Sequence, residues 1–158
     1  PSAGRPFTPE ILTRLVARGI GIAPVLLHTG VASLEAAEVP YPEYFRVSTA
    51  SAHKVNDARR NGGRVIAIGT TVVRALETVV DERGEVSPGR GWTETVITPE
   101  HTVRSVDGLL TGWHEPEASH LAMLEAIAGA ELVERSYRAA VAEEYLWHEF
   151  GDVHLVLP

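Results

Sequence analysis

Residues 64–84 constrain the fold more than any other part of the chain. Arg64-Val65-Ile66-Ala67-Ile68 is a short apolar run of the kind that sits in a sheet, and Gly69-Thr70-Thr71 turns the chain. From Val72 to about Glu82, Val73, Leu76 and Val80 then fall on one helical face, and Gly84 closes the helix. Strand, tight glycine turn and helix in that order make a β-α unit. Such turns lie at the carboxyl ends of strands, where open α/β sheets bind ligands.

The flanking segments fit the same class. Thr8-Pro9-Glu10 reads as an N-cap, a proline at the first helical position and an acid in the first turn, with Ile11, Leu12, Leu15 and Val16 at helical spacing up to Gly19. Ile20 to Leu27 is a sheet-like run that Pro24 confines to an edge or a bulge. Val31 to Pro42 has no firm period and is read as a loop before the strand Tyr44-Phe45-Arg46-Val47. Ser48 or Thr49 caps a helix that ends at Asn61-Gly62-Gly63. After a Gly/Pro-rich loop from Gly84 to Gly91, three strands are expected at Thr93–Ile97, Thr102–Val106 and Leu109–Thr111, the last two joined as a hairpin through Asp107-Gly108. Helices at 118–128 and 130–145 and a terminal strand, Val153–Leu157, complete the pattern. The sum is one α/β domain over residues 1–158, a layered structure with a mixed β-sheet flanked by helices.

A chain of 158 residues is long enough to bury a core without staples. It contains no cysteine, which removes thiol nucleophiles, cysteine-ligated zinc and iron–sulfur chemistry and agrees with a reducing cytosol. The net charge of −7 argues against a general polyanion-binding surface and leaves room only for a local basic patch. No apolar run approaches the roughly 18 residues of a membrane span, and Pro1-Ser2-Ala3-Gly4-Arg5-Pro6 is not a secretory signal. A soluble, cytoplasmic protein without a membrane partner is expected.

The usual deciding signatures are absent: there is no phosphate loop, no GxGxxG after a strand, no HExxH and no Gly-x-Ser-x-Gly elbow. His114-Glu115 with His120 has the wrong register for two imidazoles on one helical face, so no metal site is expected. Gly69-Thr70-Thr71 offers backbone N–H groups and two hydroxyls at a helix N-terminus, where an anion is favoured; the plainer reading is a cap and a turn. Arg74 and Glu77, three apart, could simply pair on the helix surface. Asp107-Gly108 reads as a turn or as a site acid. Trp92, Trp113 and Trp147 are either core or an exposed apolar surface.

As a set, Pro1-Ser2-Ala3-Gly4…Phe7-Thr8, Leu27-His28…Gly30, Glu43-Tyr44-Phe45, Gly69-Thr70-Thr71…Arg74…Leu76-Glu77, Val106-Asp107-Gly108-Leu109…Thr111…His114…Pro116 and Phe150-Gly151-Asp152 resemble the S-adenosylmethionine:tRNA ribosyltransferase-isomerase family of queuosine biosynthesis. The resemblance spans nearly the whole chain but only the C-terminal part of the family's sequence, without its N-terminal portion and inserted β-barrel domain. The family's His-x-Met-His-x-Glu stretch reads Glu38-Val39-Pro40-Tyr41-Pro42-Glu43 here, so Glu43 is retained and both histidines are replaced.

The resemblance implies a transferase that moves the ribosyl part of S-adenosylmethionine, a co-substrate, onto a 7-aminomethyl-7-deazaguanine of tRNA and isomerises it, with no metal. It implies Gly69, Thr70, Thr71 and Arg74 as S-adenosylmethionine-binding residues. Asp107 and His114 are implied as proton carriers, Glu77 as an orienting residue, and Glu43 and His28 as contacts to the acceptor. The partners expected are therefore S-adenosylmethionine and tRNA. Two alternatives stand beside this reading: a divergent homologue acting on another nucleoside or small molecule, and a non-catalytic fragment that forms a homo-oligomer or docks on a partner.

Overall fold

The structure, a computed structural model, describes residues 2–30, 41–114 and 121–158. A short 3-10 turn at Ser2–Gly4 leads to α1 (Pro9–Ala17), where the Thr8 hydroxyl accepts from Ile11 N at 3.3 Å as expected of its cap. The strands β1 (Val25–His28) and β2 (Glu43–Val47) follow, then α2 (Thr49–Arg60) with Ser48 as its cap. The β-α unit appears as β3 (Ile66–Ile68) and α3 (Thr70–Val79). The second half holds β4 (Gly89–Thr93), β5 (Gly108–Gly112), α4 (Leu121–Ala128), α5 (Ala130–Ala142), a 3-10 turn at His148–Phe150 and β6 (Val153–Val156). The expected start of α4 at residue 118 lies outside the described residues, as do the bulk of the 31–42 loop, Glu115, Pro116 and His120.

The α/β class holds, but the strands divide between two sheets rather than one. Sheet A is antiparallel in the order β1-β2-β4, and β1 lies at its edge directly after Pro24, which cannot donate to a ladder. Sheet B is the mixed one, in the order β3-β5-β6, with β3 and β5 parallel and β6 antiparallel to β5. Helix α3 packs against strands of both sheets, and its buried Val73, Ala75 and Leu76 join Phe45, Val47 and Leu109 in one core.

Three strand expectations fail, each for a physical reason. Gly89–Thr93 forms β4 where a loop was expected, and no strand follows at Thr93–Ile97. Glycine is used there for close packing: a Cβ on Gly89 would stand 2.8 Å from Val79 Cγ1, so α3 could not lie so near the strand. Thr102–Val106 forms no strand, because its backbone is held by a helix side chain described below. Asp107-Gly108 is accordingly no hairpin turn. Gly108 opens β5 beside the parallel β3, where a Cβ would meet Val156 O at 2.8 Å and Ile66 Cδ1 at 2.9 Å. Helix α5 also stops short of Tyr145: Glu144 takes a φ of +56° two residues past the helix end.

Candidate active site

Because β3 and β5 run parallel, the residues that follow each strand emerge from the same edge of sheet B. Gly69 leaves β3 with a φ of +97°, a left-handed geometry that suits glycine, and its N–H donates to Leu110 O at 2.8 Å. Helix α3 starts there with no side-chain cap, so its first turn, which carries Thr70 and Thr71, brings backbone N–H groups without a cap to this edge. From β5 the chain continues into Trp113 and His114. The N-terminal turn covers the same edge: it packs on β5 and on the His148–Phe150 turn, and Ala3 Cβ lies 4.0 Å from where a Gly69 Cβ would be.

His114 is fixed in a ring cluster. Its imidazole stacks on His148 with centroids 4.1 Å apart, and its carbonyl accepts from the Tyr137 hydroxyl at 3.0 Å. Burial and the neighbouring His148 hold its pKa down at about 4, against the opposing pull of Glu149. The ring is therefore neutral near pH 7. Trp113, buried, stacks on His154 at 4.0 Å and meets Tyr137 edge-on at 4.7 Å. The turn before β6 locks this cluster, with Trp113 N donating to Asp152 O at 3.1 Å and His148 N donating to Trp113 O at 2.7 Å. Of the other tryptophans, Trp147 is half-buried against the core, and Trp92 is 64% exposed.

Arg74 lies one turn along α3 from the threonine pair, on the same helical face. Its guanidinium is already engaged: it donates to Glu43 Oε2 at 2.6 Å, to Thr95 O at 2.9 Å, to Tyr41 O at 3.1 Å and to Thr93 O at 3.3 Å. The expected Arg74–Glu77 pair does not form. Arg74 instead ties α3 to sheet A, with both charges of the Glu43 pair nearly buried.

Glu77 faces the 94–107 segment. Its carboxylate accepts from Arg104 N at 2.9 Å and Ser105 N at 2.6 Å, and its other oxygen lies 2.9 Å from His101 Nε2. Burial pushes its pKa up, but the hydrogen bonds from Ser105, His101 and Arg104 outweigh burial and leave it below the usual carboxylate value.

The remaining expected site residues do not converge on the Gly69 edge. Asp107 stands at the entry of β5, the opposite end of the parallel pair from Gly69 and His114. Its Oδ2 accepts from Val65 N at 2.7 Å while Asp107 N donates to Val65 O at 2.8 Å, and Arg59 lies 3.9 Å from Oδ1. Asp107, implied above as a proton carrier, thus fastens the two strands at their start, away from the threonines and His114. Glu43 points inward to Arg74, whereas His28 lies exposed on the outer face of sheet A against Tyr44. The sequence reading missed His148 and Tyr137, which are far from His114 along the chain. The only sequence signal for the first was the neighbouring Phe150-Gly151-Asp152 motif.

Among the described residues no helix is long and apolar enough to cross a membrane, and no three metal-ligating side chains cluster.

Comparison with known proteins agrees with the motif pattern. A family model described as queuosine biosynthesis protein matches residues 1–156. Curated S-adenosylmethionine:tRNA ribosyltransferase-isomerases from Symbiobacterium thermophilum and Moorella thermoacetica are 44% and 41% identical to this chain over 99% of its length. The chain spans 48% of each, about half the length of the curated relatives it matches. The crystal structure of S-adenosylmethionine tRNA ribosyltransferase from Thermotoga maritima superposes with a TM-score of 0.82 at 34% identity, covering 98% of this chain and 51% of that one. A fold shared this closely, with a family match running from one end of the chain almost to the other, places the protein in the queuosine biosynthesis protein family.

Proposed function

We propose that this chain binds S-adenosylmethionine at the carboxyl edge of β3 and β5 and serves in transferring and isomerising its ribosyl group onto a 7-aminomethyl-7-deazaguanine of tRNA. The observation that carries the reading is the meeting of Gly69-Thr70-Thr71 and Trp113-His114 at one edge, under the N-terminal turn. The start of α3 supplies N–H groups and the positive end of a dipole for the methionine carboxylate or the ribose oxygens, with the threonine hydroxyls as further partners. The reaction removes a proton next to the sulfonium carbon and releases adenine and methionine. His114, placed at this edge after β5 and stacked on His148, takes the role of proton carrier.

Arg74, Glu77 and Asp107 then act at one remove. Arg74 with Glu43 fixes α3 against sheet A, Glu77 holds the loop after β4, and Asp107 sets the register of β3 on β5. Calorimetric titration with S-adenosylmethionine tests the reading. Saturable binding that weakens at least about tenfold in Thr71→Ala, a loss of one or two hydrogen bonds to a charged group, is expected. Binding that is absent, or that Thr71→Ala leaves untouched, contradicts it.

A further inference from the structure

We propose that the outer face of sheet A is a docking platform for single-stranded nucleic acid. The alternation of the strands sends Phe45, Val47 and Thr93 into the core and the intervening residues outward. The register then sorts the outward side chains into two rows across the three strands. Leu26, Arg46 and Arg90 form one row, and His28, Tyr44 and Trp92 form the next. The ring row is continuous: His28 and Tyr44 have centroids 5.3 Å apart, and Tyr44 and Trp92 are 5.8 Å apart, edge to face.

Folding alone does not account for this face. Trp92 keeps 64% of its surface in water. Arg46 and Arg90 stand directly opposite one another across β2 and β4, a like-charge pairing that destabilises a sheet, and neither has an ion-pair partner among the described residues. In a chain with seven surplus negative charges, two unneutralised cations in register call for an anion. The exposed rings of His28 and Trp92 beside them call for planar groups. Bases stacked on the aromatic row, with phosphates on the arginine row two residues away along each strand, satisfy both demands in one ligand. Leu26 is the sole aliphatic side chain in the two rows, which is too little for an apolar protein interface. The inference rests on the proposed function only in identifying the nucleic acid as the RNA acceptor.

The test is fluorescence anisotropy with a short labelled oligouridylate, followed by quenching of intrinsic tryptophan emission; Trp92 is the exposed indole, since Trp113 is buried and Trp147 half-buried. Salt-dependent binding with quenching is expected. Trp92→Leu should weaken it at least about fivefold. Arg90→Gln should lower the slope of log K against log salt by about 0.7. Both variants should bind S-adenosylmethionine as the parent does, so a failure of this face and a failure of the nucleoside site are told apart. Binding that neither variant alters overturns the proposal, as does equal affinity for a duplex of the same length. Self-association abolished by Trp92→Leu in the absence of any RNA binding also overturns it, and assigns the face to a second copy of the chain.

Discussion

His154→Phe should remove one defined part of the acid sensitivity of this fold. His154 lies on β6, 8% exposed, with its ring flat on Trp113 at 4.0 Å and 4°, and its Nδ1 is buried without a partner among the described residues. Burial holds its pKa down at about 4 from an ordinary 6.5. The folded ring therefore stays neutral while the unfolded chain takes up a proton below 6.5. Stability from this ring is whole above that value, falls as pH drops from 6.5 to about 4, and changes no further below.

Integrated from about pH 7.5 to about pH 5, one such group costs ~2 kcal/mol, a loss of ~30-fold in the folding constant. His114, whose pKa is likewise held down at about 4, adds a loss of the same sign in both proteins. Phenylalanine keeps the stacked area and has nothing to protonate. Urea unfolding of the parent and the variant at the two pH values reads the effect, and the variant should lose ~2 kcal/mol less on acidification. Equal losses in both proteins would refute the assignment of a buried neutral imidazole to this position.

Two further perturbations test the framework around the site. Arg74→Met keeps most of the stem but strands the Glu43 carboxylate and the carbonyls of Tyr41, Thr93 and Thr95, and should destabilise by about 3–5 kcal/mol. Adding Glu43→Gln should recover part of that loss, and strict additivity in the double-mutant cycle would contradict the coupling. Gly108→Ala drives a methyl into Val156 O and Ile66 Cδ1 and should cost about 1–3 kcal/mol, seen as a lower melting temperature; an unchanged melt would contradict the close β5–β6 packing.

Local signals read well where local chemistry decided the outcome. The caps at Thr8 and Ser48 and the β3-Gly69-α3 unit follow from side-chain and backbone rules that act within a few residues, whereas the run expected over Ile20–Leu27 becomes a strand only after Pro24. What was not legible depended on distant partners. Gly89 and Gly108 read as loop and turn, yet each is a strand residue whose missing Cβ admits a neighbour from elsewhere in the chain. Residues 102–106 alternate like a strand, but Glu77 takes the N–H groups of Arg104 and Ser105 instead of a neighbouring strand.

The candidate site divides in the same way. The residue types at Gly69-Thr70-Thr71 and His114 were readable, and the parallel pairing of β3 with β5 brings their segments to one edge. The same pairing sends Asp107 to the opposite edge, since a residue before a strand and a residue after its parallel neighbour cannot share an end. Arg74 pairs across the fold with Glu43 rather than along the helix with Glu77, because Glu77 is claimed by the Ser105 loop.

The most direct test of the account is a nitrogen-labelled NMR titration with S-adenosylmethionine that follows the backbone amides. Perturbations should gather at Gly69, Thr70 and Thr71, at Trp113 and His114, and at Ala3 in the N-terminal turn, with Asp107 at the far edge of sheet B silent. Shifts centred on Asp107, or spread over sheet A with the Gly69 turn unmoved, would contradict a nucleoside site at the carboxyl edge of β3 and β5.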